Sequence, residues 1–385
     1  MNAHMKNLFL LLTLTLALCA CSSDAEQAAA TSQLLAIGTY TKKEGHVDGK
    51  APGILLMRQD SLTGALEMID TIPEIINPSF VAFAPDGQHL YAVSETAADV
   101  DSVGYVYSYA LGEDGSATLL NRQSTFGLAP CHLAVHPNGN WLAVANYVGG
   151  YVAVYPLATD GHLQEAAQAY QIEEAGTHPR QEASHPHEVK WLEQGNTLMV
   201  TDLGANRVVR FSFAPDTDTP LQRQLPDVVL PTARGPRHTA VGQNGQHWYV
   251  LNELSNTVTF FAERSDSMSL QEEYNLLPAS FEGTSGAAEV ALSDDGRHLY
   301  ASNRGYDSVV HFPVQADGSL GEPVFYESKG EAPRHFCLSP DQRFLYIANQ
   351  NTDSVVRYQR DLKTGALSGP KSWAVPTPVC LAFQP

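Results

Sequence analysis

One pattern recurs along the chain at intervals of roughly fifty residues, and it limits the folds that the chain can adopt. Each copy has a short apolar segment, a polar turn of the Pro-Asp-Gly type, and a second apolar segment that ends on a small polar residue. Six copies occupy residues 77–95, 129–147, 185–203, 235–253, 286–304 and 332–350. A repeat of this length, built from short strands and tight turns, predicts an all-β fold in which each copy belongs to one four-stranded blade of a β-propeller.

The two ends of the chain supply a seventh blade. A second turn, Asp-Gly or Thr-Gly, follows most copies, and it also appears at residues 63–64, ahead of the first complete copy. The segments on either side of it, 54–59 and 65–71, therefore lack an inner strand of their own. Residues 377–383 are similar to the opening strand of every copy, so we predict a seven-bladed β-propeller closed by pairing of its N- and C-terminal strands. An open β-solenoid or two β-sandwiches would not explain this last strand.

The N-terminus has the layout of a secretion signal. A polar start with Lys6 precedes an apolar run over 8–18, which is shorter than the ~20 residues of a membrane span. The sequence Leu-Cys-Ala-Cys at 18–21 resembles the lipobox of bacterial lipoproteins, with Cys21 as the acylated residue. An ordinary cleaved signal with incidental cysteines is the alternative.

These features predict three regions: a signal peptide at 1–20, a tether at 21–33 behind lipidated Cys21, and a single propeller at 34–385. The lipid would hold the protein in the bacterial cell envelope, in the periplasm or at the outer membrane.

The charge and the cysteines exclude other classes of partner. The chain has 23 Lys and Arg against 42 Asp and Glu, a formal net charge of −19, which repels nucleic acids and anionic lipid headgroups. We therefore expect no nucleic-acid partner and membrane contact through the lipid anchor only. Cys131, Cys337 and Cys380 show no zinc-type spacing, so we expect buried free thiols and no metal.

The geometry of a blade brings two sets of side chains to one mouth of the central channel. The first strand of a blade is innermost and the second runs antiparallel to it, so the start of the first and the end of the second share a face. The strand-start set contains His132, His185, His187, Glu188, Arg237, His238, Glu289, Arg334 and His335. The strand-end set contains Glu95, Asn146, Asp202, Asn252, Glu253, Asn303, Arg304, Asn349 and Gln350. This mixture of cations, acids and imidazoles suits a small anionic ligand.

Departures from the repeat indicate which of these residues form a site. The recurrent Asn at the strand ends follows the repeat, so we expect it to bind neighbouring loops. Arg237 and Arg334 instead replace small residues of the other copies, and Glu253 and Arg304 follow the Asn where other copies vary. An asymmetric set on a quasi-symmetric ring favours a functional site, although structural ion pairs would also account for it.

At these positions the chain resembles the seven-bladed β-propeller lactonase family, which includes propeller-type 6-phosphogluconolactonases and fungal carboxy-cis,cis-muconate cyclases. The motifs that carry the resemblance are Gly-Thr-Tyr-Thr at 38–41, Pro-Cys-His at 130–132, His-Pro-His at 185–187, Gly-Pro-Arg-His at 235–238, Asn-Glu-Leu at 252–254 and Asn-Arg at 303–304. The resemblance implies that a lactone ring is opened or closed, and this chemistry needs no redox or metal cofactor.

The resemblance also implies roles for individual residues. The cyclase branch is proposed to use a His, two Arg and a Glu, which correspond to the catalytic candidates His185 or His187, Arg237, Glu253 and Arg304. In hydrolysis, Glu253 or one of the two His would be the general base, one Arg would stabilise the oxyanion, and the other would hold a carboxylate or phosphate. The substrate-binding candidates are His132, His238, Arg334 and His335.

Three functions stay open at this point. The first is a lactonase that opens a sugar lactone, similar to 6-phosphogluconolactonases. A phosphorylated lactone is a cytosolic intermediate, so for an exported chain a carboxylated or plain sugar lactone is equally compatible. The second is a non-catalytic envelope propeller that binds a sugar acid or a protein partner, and the third is a lactonising isomerase similar to the muconate cyclases.

Overall fold

The computed structural model describes residues 32–385, except for residues 46, 99, 244, 265 and 266. Cys21, the predicted signal peptide and most of the predicted tether lie outside these residues. Ser32 and Gln33, which the sequence assigned to the tether, already belong to the first strand. No helix in the described part of the chain is both long enough and apolar enough to cross a bilayer.

Seven antiparallel sheets form the blades of a propeller, and we number them from the N-terminus and give their strands from the channel outward. Blade 1 consists of Pro378–Phe383, Ser32–Thr39, Gly53–Asp60 and Leu66–Pro73. Blade 2 consists of Val81–Phe83, His89–Ser94, Tyr105–Leu111 and Ala117–Ser124. Blade 3 consists of Leu128–Val135, Trp141–Val148, Tyr151–Pro156 and Gln168–Gln171.

The remaining blades follow the same order. Blade 4 consists of Pro186–Leu192, Thr197–Asp202, Arg207–Phe213 and Leu221–Gln222, and Val228–Val229 also pairs with its third strand. Blade 5 consists of Pro236–Val241, His247–Asn252, Thr257–Arg264 and Ser267–Asn275. Blade 6 consists of Gly286–Leu292, His298–Arg304, Ser308–Pro313 and Val324–Glu327. Blade 7 consists of Pro333–Leu338, Phe344–Asn349, Ser354–Arg360 and Leu367–Ala374.

Three short elements lie outside this pattern. Lys43–Glu44 and Val47–Asp48 form a small two-stranded ribbon after the first strand. Single turns of 3₁₀ helix occur at Glu193–Gly195 and Gln350–Thr352.

The predicted closure of the ring is confirmed. The last strand of the chain pairs antiparallel with the first, with Leu35 opposite Phe383 and Ile37 opposite Leu381. The C-terminal strand thus becomes the inner strand of blade 1, as the orphan segment predicted. Because strands from both termini share this sheet, the ring closes without an unpaired strand edge at the seam.

The second turn of the repeat, which joins the two outer strands of a blade, forms hydrogen bonds with the preceding blade. In four places a tyrosine hydroxyl on the second strand of one blade donates to the carbonyl of the glycine in the outer turn of the next. The pairs are Tyr91–Gly161 at 3.2 Å, Tyr249–Gly318 at 2.7 Å, Tyr300–Gly365 at 2.6 Å and Tyr346–Gly64 at 2.8 Å. The last pair joins blades 7 and 1, so the seam carries the same bond as other joints. Gly64 has a φ of +66°, and a Cβ there would lie 2.9 Å from the Phe344 ring, which explains the glycine.

Three of the four recurrent Asn residues bind a loop of the neighbouring blade, as expected, whereas Asn252 donates to Thr257 and Thr259 on the third strand of its own blade. Nδ2 of Asn146 donates to the Thr125 carbonyl at 2.9 Å, and that of Asn349 donates to the Ser328 carbonyl at 3.0 Å. Each acceptor follows the outermost strand of the preceding blade. These amides therefore hold adjacent blades together at the mouth and leave the variable residues beside them free for other roles.

Candidate active site

A β-bulge at the start of the inner strands turns consecutive side chains toward the channel. In blade 5, Pro236 pairs with Asn252 and His238 with Leu251, so Arg237 between them has no partner in the ladder. Equivalent register shifts occur in blades 1, 3, 4, 6 and 7. Adjacent residues of a regular strand point to opposite faces, whereas a bulge redirects one of them. The channel therefore has an upper layer at the mouth and a lower layer one residue deeper.

The mouth encloses a cavity of about 800 Å³. Five of the nine predicted site residues line it, and these are His187, Arg237, Glu253, Arg304 and Arg334. Arg237 and Arg334 come from the upper layer, and Glu253 and Arg304 come from the ends of second strands, as the two-set prediction requires. Blades 4 to 7 thus contribute the charged side of the cavity.

Glu253 lies at the centre of a cluster of arginines. Its Oε2 accepts hydrogen bonds from Arg237 Nη1 at 2.9 Å and Arg304 Nη2 at 3.1 Å, and its Oε1 accepts one from Arg180 Nη1 at 2.8 Å. Burial opposes ionisation of Glu253, but the charges of Arg304, Arg237 and Arg180 outweigh it and hold the pKa of this carboxyl far below its ordinary value. Glu253 is therefore ionised at neutral pH. Together the four side chains carry a net positive charge, which attracts an anion or a developing oxyanion.

His187 lies beside this cluster as a neutral imidazole. Burial and then the charge of Arg237 hold the pKa of His187 well below its ordinary value. Arg237 Nη1 donates a hydrogen bond to His187 Nε2, so the ring proton is on Nδ1, which lies 4.0 Å from Cys131 Sγ. In this arrangement the basic nitrogen of His187 already has a donor, and its lone pair becomes available only if Arg237 moves.

His185 occupies a different environment from His187. Its Nδ1 binds the carbonyl of Tyr147 at 2.7 Å, and its Nε2 lies 3.2 Å from a Glu182 carboxylate oxygen. The ring stacks on that of Tyr147 with centroids 4.5 Å apart. It therefore supports Tyr147, which lines the cavity, whereas His185 itself is not among the residues that line it.

The other three predicted histidines belong to the lower layer. His132 packs against Phe80 at 3.9 Å between ring centroids and against His238 at 5.4 Å. His238 Nδ1 and His335 Nε2 lie 2.9 Å and 3.3 Å from the same Glu289 oxygen. Burial and the charge of Arg237 lower the pKa of His238 to about 3, so this ring is neutral. The structure places these histidines beneath the mouth, one layer away from Glu253.

Arg334 is held on blade 7, next to the blade that carries Arg304. Its guanidinium lies over the ring of Tyr40 at 5.4 Å and 3.8 Å from a Glu95 carboxylate oxygen. The Tyr40 hydroxyl donates to the other Glu95 oxygen at 3.0 Å. Tyr40 belongs to the Gly-Thr-Tyr-Thr motif, so this motif supports an arginine of the mouth.

Sequence reasoning missed Arg180. This residue lies on the connection between blades 3 and 4, and its side chain is 50% exposed. Besides Glu253 it binds the Tyr147 hydroxyl, with Nη2 at 3.1 Å. The repeat predicts positions only within its copies, and Arg180 falls between two of them, so the sequence held no signal for it.

Within the described residues, no group of three or more His, Cys, Asp or Glu is arranged to hold a metal ion. The cavity instead offers hydrogen-bond donors with a fixed positive charge, one ionised carboxylate beside them and a neutral imidazole. Such an arrangement can bind a carbonyl oxygen and stabilise the negative charge that forms on it when a nucleophile attacks.

Comparisons with known proteins show which proteins the chain is similar to. A family model described as Lactonase, 7-bladed beta-propeller, matches residues 34–383. The 6-phosphogluconolactonase of Bacillus subtilis is 31% identical over 358 residues, which cover 92% of this chain and 99% of that protein. The 6-phosphogluconolactonase of Formosa agariphila is 28% identical over 337 residues, or 86% of this chain and 93% of that protein.

A solved structure of a similar protein has the same fold as this chain. The periplasmic gluconolactonase of Pseudomonas aeruginosa is 33% identical, with a TM-score of 0.86 over 92% of this chain and 99% of that one. The residues that the family model matches include strands of all seven blades. These similarities confirm the resemblance drawn from the motifs, and the chain belongs to the seven-bladed β-propeller lactonase family.

Proposed function

We propose that the protein hydrolyses a sugar lactone in the mouth of its channel. The observation that supports this most directly is the position of Glu253, an ionised carboxylate bound by three guanidinium groups at the edge of an 800 Å³ cavity. Relatives named 6-phosphogluconolactonase and periplasmic gluconolactonase support the same reaction class. In the reaction, the oxygen of water bonds to the lactone carbonyl carbon, the ring C–O bond breaks, and the ring oxygen takes a proton to become a hydroxyl.

Arg304 and Arg237 are suited to stabilise the oxyanion. Both guanidinium groups line the cavity and contact the same oxygen of Glu253, so a carbonyl oxygen placed beside Glu253 would meet donors from two directions. Arg237 is additionally fixed by a 2.8 Å bond from its Nε to the Ala288 carbonyl. A donor that is already oriented needs no reorganisation when charge develops, which is the basis of oxyanion stabilisation.

The proton acceptor in this proposal is Glu253, with His187 as the alternative. Both line the cavity, whereas His185 has its two ring nitrogens bound behind Tyr147. The proton affinity of Glu253 is low in the free protein because of its three cationic neighbours. It rises when a substrate oxyanion neutralises those neighbours, so Glu253 becomes a better base as water attacks.

The decisive experiment measures acid release from glucono-, galactono- and 6-phosphoglucono-δ-lactone at a pH low enough to limit spontaneous hydrolysis. We expect Arg237→Ala and Glu253→Gln to lower kcat/KM by about 10²–10⁴-fold. His187→Gln and His185→Gln separate the two histidines, and a large loss in the His185 variant alone would contradict the assignment of the base. No turnover of any lactone, together with tight ligand binding, would identify a binding protein instead.

We further propose that the chain is a lipoprotein of the cell envelope, anchored at Cys21. The Leu-Cys-Ala-Cys sequence at 18–21 supports the anchor, and the similarity to a Pseudomonas gluconolactonase that is named as periplasmic supports the compartment. Metabolic labelling with a palmitate analogue should mark the wild type and not Cys21→Ala. Label that persists in the variant would refute the anchor.

A further inference from the structure

We propose that the mouth also accepts lactones whose ring carries an aliphatic chain, with the chain lying against an apolar wall on blades 2 and 3. The proposal rests on the lactonase activity proposed above and concerns the side of the cavity that this activity does not use. The apolar wall consists of Ala97, Ala98, Leu128, Ala129 and Val148.

The cationic groups and the apolar groups lie on different sides of the ring. The residues assigned to the reaction, His187, Arg237, Glu253 and Arg304, come from blades 4, 5 and 6. The apolar wall comes from the connection between the second and third strands of blade 2 and from blade 3. In a ring of seven blades, blades 2 and 3 lie across the channel from blades 5 and 6. A substrate whose carbonyl meets Arg237 and Arg304 would therefore extend its far end toward the wall.

The acidic groups near the wall are bound by the protein itself. Glu44 accepts hydrogen bonds from Asn77 Nδ2 at 2.6 Å and from the Ala97 backbone N–H at 3.2 Å. Glu95 accepts the Tyr40 hydroxyl. Their carboxylates therefore have partners that a ligand need not replace, and the side chains of the wall beside them are those of alanine, leucine and valine.

The wall continues onto the rim of the mouth. Leu128 pairs with Val148 across the first two strands of blade 3, and Val148 is 43% exposed. Phe126, two residues before Leu128, is 50% exposed. Apolar side chains that gather at an opening and remain in contact with water mark binding sites more often than isolated ones do.

The size of the cavity agrees with a substrate larger than one ring. Cavities of about 300–1,000 Å³ hold drug-sized ligands, and this one measures about 800 Å³. Hydroxyl groups of a sugar would lose hydrogen bonds against Leu128 and Val148, whereas an alkyl chain would exclude water from them. The wall thus discriminates in favour of aliphatic substituents.

A series of δ-lactones with one reacting ring and a growing side chain tests the proposal. We would measure kcat/KM for δ-valerolactone and for its 5-methyl, 5-propyl and 5-pentyl derivatives, with glucono-δ-lactone as the reference for activity. A buried methylene is worth about a fourfold increase, so we expect kcat/KM to rise by about two- to fourfold per added carbon. Val148→Asn should reduce this gain. Val324→Asn, which changes a 45% exposed valine on the outer strand of blade 6, is the matched control and should leave it intact.

The outcomes separate this proposal from the lactonase activity itself. Hydrolysis of glucono-δ-lactone without any gain along the alkyl series would overturn the apolar wall and leave the lactonase standing. A gain that Val148→Asn and Val324→Asn reduce equally would also overturn it, because the wall would then have no special part in binding. If no lactone is hydrolysed, both proposals fail.

Discussion

Replacing Glu253 by Gln removes the carboxylate that three guanidinium groups share, and we expect a large loss of stability. The amide keeps the shape of the side chain but not its charge. Arg237 and Arg304, whose side chains are 4% and 21% exposed, would then face each other without this counter-charge. Breaking a buried ion pair by removing one partner costs about 3–5 kcal/mol, whereas the half-exposed Arg180 adds little. In a domain of this size the loss corresponds to a decrease in Tm of roughly 4–7 °C.

Thermal unfolding with and without added carboxylate tests whether charge is the cause. Glu253→Ala opens space between the guanidinium groups, so acetate should bind there and raise Tm in a saturable manner. At ten times its Kd, acetate would add about 1.4 kcal/mol to the free energy of unfolding. Sodium chloride at equal ionic strength should have a smaller effect. Asp295→Asn is the matched control: its partner Arg297 is 58% exposed, so we expect a loss of about 0–1 kcal/mol and no response to acetate.

The pH dependence gives a second check. The folded state holds the pKa of Glu253 far below its value in the unfolded chain, which is about 4.3. The ionised carboxylate therefore stabilises the fold fully above that value, and this stabilisation is lost as the pH falls below it. The difference in Tm between wild type and Glu253→Gln should be constant from pH 5 to 8 and shrink below about pH 4. A difference under 1 °C at pH 7, or one that grows on acidification, would refute the reasoning.

Three further changes test other parts of the structure. Arg180→Ala should lower kcat/KM about tenfold but change Tm by under 2 °C, since an ion pair with a half-exposed guanidinium adds little stability. A decrease in Tm as large as that of Glu253→Gln would contradict the placement of Arg180 at the rim. Burial raises the pKa of Glu289, so the folded state holds the carboxyl proton of Glu289 more tightly than the unfolded chain does, and wild type should gain stability relative to Glu289→Gln as the pH falls from 8 to 5. Thermal unfolding that shows the reverse trend would contradict this prediction. Tyr346→Phe removes the hydrogen bond to the Gly64 carbonyl across the seam and should lower the free energy of unfolding by denaturant by about 1–3 kcal/mol. An unchanged denaturation midpoint would show that this bond contributes nothing to closure of the ring.

The sequence was sufficient to predict the architecture because each blade repeats its own turn chemistry. The positions of the turns gave the number of blades, and the orphan strand at 377–383 predicted the seam that Leu35 and Phe383 form. The face argument also brought Arg237, Glu253 and Arg304 to one mouth, since the start of a first strand and the end of a second strand are neighbours in any antiparallel blade.

The sequence could not separate the two layers of the channel. The bulge adds one unpaired residue to the inner strand, and the alternation of apolar and polar residues does not reveal it. Arg237 and His238 were therefore assigned to the same mouth, although the first contacts Glu253 and the second contacts Glu289 one layer below. Arg180 was missed for a different reason, because a loop between two repeats has no counterpart from which its position can be inferred.

The low proton affinity of Glu253 restricts any mechanism in which it acts as a base. If Glu253 took a proton from water by itself, its three arginine partners would be left without a counter-charge, so an isolated general-base step is unfavourable. Attack becomes favourable when the proton moves to Glu253 as negative charge forms on the lactone oxygen, because the arginines then exchange one anionic partner for another. Arg180 is the most exposed of the three at 50%, so its contact with Oε1 is the one that a substrate can displace without disturbing Arg237 or Arg304. The cluster that stabilises the empty mouth would thus also bind the transition state, with Arg180 releasing Glu253 when substrate enters.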